Sequence, residues 1–81
     1  MRIIDSFVLN GRVYALCVGS EVRYGMDVQK LTVGGIDYDI KESFAKESLT
    51  GIMQLELLVD SSEPLPIGEE AIISQINKAA S

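Results

Sequence analysis

Residues 31–40, LTVGGIDYDI, place two glycines between two stretches in which apolar and polar residues alternate. A strand with one buried face repeats every two residues. Gly-Gly suits a tight turn because glycine reaches positive φ without a steric penalty. Folding the chain back at Gly34 and Gly35 sets Val33 against Ile36, Leu31 against Tyr38 and Gln29 against Ile40 on one face. The other face then holds Thr32 with Asp37, and Lys30 with Asp39 as an opposite-charge pair. A phosphate-binding loop needs GxxxxGK[ST] or GxGxxG opening a helix, and neither is present here. The glycines read as the turn of a β-hairpin.

The same logic extends in both directions. Residues 3–9 (IIDSFVL) and 12–18 (RVYALCV) flank Asn10-Gly11, the dipeptide favoured by a type I′ turn. This predicts a second two-residue hairpin with Val8 beside Val13, Phe7 beside Tyr14 and Ser6 beside Ala15, apolar on both faces. Residues 51–60 (GIMQLELLVD) send Met53, Leu55, Leu57 and Val59 to one face, with Gln54, Glu56 and Asp60 opposite. Between them, residues 42–50 (ESFAKESLT) read as a polar connection through Lys46, Glu47 and Ser48, with Phe44 anchored to the core. Residues 61–70 (SSEPLPIGEE) carry two prolines, which lack ladder donors, and read as an extended crossover. The segment EEAIISQINKAA, 69–80, suits either a helix or a short closing strand, and 77–81 read as a flexible tail.

Composition limits the functions available. An 81-residue chain forms one domain in which about 60% of the unfolded surface is buried. With 47% apolar and 23% charged residues it fits a soluble globular protein. Twelve acids against seven bases give a net charge of −5, which repels nucleic-acid phosphates and anionic lipids. Nucleic acid and membrane are therefore disfavoured partners. The first eleven residues, MRIIDSFVLNG, lack the apolar run of a secretory signal, and no run reaches the ~18 residues of a membrane span. One cysteine forms no internal disulfide, so a reducing, cytoplasmic setting is expected.

Few residues offer chemistry. The absence of histidine excludes histidine triads, Cys-His dyads and histidine-ligated zinc. Cys17 has no cationic neighbour in sequence to activate it and reads as a core residue. Asp37 and Asp39 share a strand face, but without DxDxDG spacing they read as solvated partners of Lys30 and Lys41 rather than a cation site. Of the five aromatic residues, Phe7, Tyr14 and Tyr38 are expected inside, with Tyr24 covering one end. Arg12, Arg23 and Tyr24 remain as a candidate basic patch. No metal or cofactor is called for.

Taken in order, GRVYALCVGSEVRYGMDVQKL (11–31), YDIKESF (38–44), LTGIMQLELLV (49–59) and LPIGEEAIIS (65–74) resemble the β-barrel second domain of translation elongation factors. The resemblance spans about residues 3–74 and rests on Gly25, Gly51 and Gly68 as glycines that precede strands. It implies a small barrel closed by a strand at 71–74. In that family the barrel follows a GTPase domain and helps to hold the tRNA acceptor end. This chain has no P-loop, and no residue in it matches a family binding residue.

The expectation is an all-β domain, a small six-stranded or near six-stranded barrel with two tight hairpins. It is expected to be a non-catalytic protein-interaction or regulatory module. An RNA- or ribosome-associated accessory domain is the alternative, and an enzyme ranks third. The apolar content exceeds what a small barrel interior holds, so a protein partner, including a second copy of the chain, is expected. The candidate surface is Phe7, Leu9 and Leu16 on the first hairpin, with Ile72, Ile73 and Ile76 near the end of the chain.

Overall fold

Two turns with positive φ set the register of the sheet. Asn10 (φ 53°) and Gly11 (φ 75°) join β1 (Arg2–Leu9) to β2 (Arg12–Val18). Gly34 (φ 58°) and Gly35 (φ 80°) join β3 (Val28–Val33) to β4 (Ile36–Glu47). The first hairpin pairs Val8 with Val13, Phe7 with Tyr14 and Ser6 with Ala15; the second pairs Val33 with Ile36, Leu31 with Tyr38 and Lys30 with Asp39. These are the registers the turn dipeptides predict. The remaining strands are β5 (Met53–Val59) and β6 (Ala71–Ile76), and the computed structural model describes residues 1–76.

The six strands form one antiparallel sheet in the order β1-β2-β5-β4-β3-β6, with no helix among the described residues. Residues 71–76 are thus a strand. The expected tail at 77–81 lies outside the described residues.

The sheet curls but is not closed. β1 and β6 share no ladder, although an isolated bridge joins Arg2 to Glu70. Three backbone bonds tie the same region: Ile3 N–H to Glu69 C=O (3.0 Å), Gly68 N–H to Ile3 C=O (2.7 Å) and Ala71 N–H to Met1 C=O (2.7 Å). The crossover therefore runs beside β1, but Pro64 and Pro66 have no N–H with which to continue the pairing.

The concave face holds the core: Ile3, Val13, Ala15, Cys17, Val28, Leu31, Val33, Leu55, Leu57 and Val59 are buried, with Val22 and Leu65 packed in from outside the strands. Met53 is partly buried against them, so the predicted inward face of β5 is the observed one. Full burial of one such leucine contributes about 1.5–3 kcal/mol.

Register shifts occur in the β1–β2, β3–β6 and β4–β5 ladders, and the bulges in β4 and β1 reverse the facing of side chains on the outer surface. In β4, Ile40 pairs with Val59 and Glu42 with Leu58, leaving Lys41 as the extra residue. Before it Ile40 points inward; after it Ala45 does. Phe44 is consequently turned out and 61% exposed, which corrects its expected place in the core. Nor are residues 42–47 a connection, since β4 runs on to Glu47 before turning at 48–52. In β1 the extra residue is Ile4, between Ile3 opposite Cys17 and Asp5 opposite Leu16.

Candidate interaction surface

Because Val13, Ala15 and Cys17 point into the core, the alternate residues of β2 point out. Cross-strand pairing then lays one outer row across four strands: Phe7, Tyr14, Leu58 and Glu42. The next row is Asp5, Leu16, Glu56 and Phe44. Phe7 and Tyr14, expected inside, stack on this outer face with ring centroids 5.6 Å apart and planes at 22°. Tyr38 alone of the three expected rings packs partly against the core.

Leu58 also faces outward yet is only 8% exposed. It lies in a depression of about 420 Å³ lined by Tyr14, Glu42, Ser43, Phe44, Glu56 and Leu58. Lys46 Nζ is 3.6 Å from Glu56 Oε1, whereas Glu42 makes no ion pair or hydrogen bond among the described residues.

Of the residues singled out from sequence, Phe7, Leu9 and Leu16 share this outer face, with Phe7 and Leu9 exposed and Leu16 half-buried. Ile72, Ile73 and Ile76 lie on β6, whose start is bonded to Met1 at the beginning of the chain rather than to the Phe7 and Leu9 end of the first hairpin. Ile72 is exposed beside Thr32 on β3, while Ile73 packs against the core and is a structural residue. Ile76 pairs with Val28 through the ladder. A groove of about 520 Å³ runs along residues 70–75, with Met1, Glu21 and Met26 on its other side.

The candidate basic patch does not assemble. Arg12 opens β2, whereas Arg23 and Tyr24 follow its far end at Val18, about 20 Å along the strand. Tyr24 is exposed, its hydroxyl 3.4 Å from Glu47 Oε1, and buried Val22 packs into the core instead.

The carboxylates are engaged separately. Asp37 accepts a 2.6 Å hydrogen bond from the Thr32 hydroxyl, and Asp39 lies 3.7 Å from Lys30 Nζ. The Met1 ammonium donates to Glu21 Oε2 at 2.9 Å and to the Ala71 carbonyl at 3.1 Å. A bond from its own backbone amide, followed by this contact, holds the Glu21 carboxyl below its ordinary value. Burial pushes the Cys17 thiol up to about 11, with a smaller opposing pull from the Met1 ammonium. Among the described residues, no three histidine, cysteine, aspartate or glutamate side chains converge as metal ligands.

Comparison with protein-family models, curated proteins and solved structures found no match. No helix among the described residues is long and apolar enough to cross a membrane.

Sequence reasoning missed Phe44 and Leu58 as surface residues. The sign of Leu58 was present in LELLV, residues 55–59, where a leucine interrupts the polar side of an otherwise alternating strand. Phe44 carried no comparable sign, because its facing depends on the bulge at Lys41.

Proposed function

We propose that this domain is a non-catalytic interaction module that binds another protein chain through the outer face of β1, β2, β5 and β4. The observation that carries the reading is the cluster of aromatic side chains on that face: Phe7 stacked on Tyr14, and Phe44 exposed nearby. Leaving large rings in water forfeits the burial that usually stabilises a small domain, and aromatic residues are enriched where proteins meet. A cytoplasmic setting suits the single buried, free Cys17 thiol. The resemblance to elongation-factor barrels brings no binding residue to this surface, and the reading assigns no catalytic group.

A second copy of the chain is the first partner to test. Light scattering over a concentration series should give a mass rising from monomer towards dimer, and Phe7→Ser with Phe44→Ser should hold the protein monomeric. Single-stranded RNA at low salt is the control. A strict monomer that binds RNA below micromolar concentration, with affinity falling steeply as salt rises, would overturn the reading in favour of an RNA-associated domain.

A further inference from the structure

We propose that the depression between Tyr14 and Phe44 is a receptor for an arginine side chain presented by a protein partner. The proposal rests on the protein-binding reading above and names the chemistry that this face selects. Three features meet there. Leu58 forms an apolar floor at 8% exposure, suited to the methylene stem of a long side chain. Tyr14, directly opposite Leu58, and Phe44, one strand beyond and one row along, supply aromatic rings that attract a cation. Glu42 and Glu56 supply carboxylates, of which Glu42 has no partner among the described residues and Glu56 is shared with Lys46 at 3.6 Å.

Charge decides the occupant. The lining carries two carboxylates and no cation of its own, Lys46 reaching only Glu56 from outside it, and the whole chain carries a net charge of −5. An acidic or purely apolar segment would leave Glu42 desolvated without compensation. A cation gains from both the rings and the carboxylate. Arginine fits better than lysine because its planar guanidinium stacks on an aromatic face while its edge donates to a carboxylate. A volume of about 420 Å³ leaves room for the flanking backbone that presents it. On the far side of Glu42, Lys41 faces Asp60 at 4.0 Å and Arg12 lines the adjoining depression. Those two cations set a boundary on the hairpin side, so the incoming chain approaches from the Phe44 side.

The test is an NMR titration with a short capped glycine-arginine repeat peptide, beside the same peptide carrying citrulline, which has the shape of arginine without its charge. The expected result is a saturable shift of the Leu58 methyl and Tyr14 and Phe44 ring signals with the arginine peptide only. Phe44→Ala and Glu42→Gln, both at exposed positions where the fold is retained, should each weaken binding by about two- to fivefold. Lys46→Gln should strengthen it by about twofold by releasing Glu56, a gain that structural damage would not produce. Equal binding of the citrulline peptide, or shifts scattered over all surface carboxylates without saturation, would overturn the proposal. If the arginine peptide fails while concentration-dependent association persists and is lost in Phe44→Ser, the receptor proposal falls and the protein-binding reading stands.

Discussion

The Ser6 hydroxyl reaches Leu65, 59 positions away: its oxygen accepts the Leu65 amide at 2.9 Å while its proton goes to the Tyr14 carbonyl at 2.8 Å. Leu65 lies between Pro64 and Pro66 and owns the only backbone donor in that stretch. A side chain therefore supplies the attachment that the backbone ladder does not.

Ser6→Ala leaves the buried Leu65 amide unpaired and should destabilise the domain by about 1–3 kcal/mol. Urea denaturation measures this directly. A midpoint equal to that of the unaltered protein would show that the crossover is held by packing of Leu65 alone.

At the second hairpin the cost of substitution comes from the backbone. A Cβ on Gly34 or Gly35 would meet nothing within 4 Å, but both residues have positive φ. Replacing both with valine should cost about 2 kcal/mol or more, while Gly34→Asn should be nearly neutral because asparagine tolerates the left-handed region. Melting temperatures of the two variants separate strain from crowding.

Gly19 presents the opposite case. Its φ is not positive, yet an added Cβ would lie 2.6 Å from Met1 Cβ and 2.9 Å from Met1 Cα. Gly19→Ala should cost about 1–3 kcal/mol through overpacking. Thermal unfolding of this variant beside Gly34→Asn checks the assignment, since only the former should melt earlier.

Cys17 gives a pH dependence with a definite sign. Its thiol is raised from 9.0 to about 11 in the folded state, so the unfolded chain releases that proton first as pH rises. The associated stability is fully present below pH 9 and is lost progressively as pH climbs through about 11, amounting to roughly 2–3 kcal/mol. Denaturation at pH 8, 9, 10 and 11 should show Cys17→Ala losing less stability over this range than the unaltered protein. Parallel slopes would place the thiol in contact with water.

Both hairpins were legible because a turn dipeptide fixes register locally, without reference to the rest of the chain. Asn10-Gly11 and Gly34-Gly35 each determined the pairing of their neighbours, and the alternation of Met53 to Val59 identified the buried face of β5. The bulges at Ile4 and Lys41 were not legible, since an unpaired residue is defined only against its partner strand. This is why Phe44 was expected inside and why the aromatic surface was only partly foreseen. The residues at the end of the chain left two readings open, since AIIS suits a helix as well as a strand, and β3 decides for the strand by offering it a free edge.

The Lys41 bulge makes the path of one strand, rather than composition, the determinant of what this domain displays. A β4 that kept every residue but ran straight past Ile40 would carry Phe44 to the interior and Ala45 to solvent without altering either turn dipeptide, whereas excising Lys41 would leave Phe44 opposite Glu56 and Ala45 opposite Leu55 as they are. The exposure of the aromatic ring is thus decided by one local irregularity of the backbone and not by the residues on either side of it.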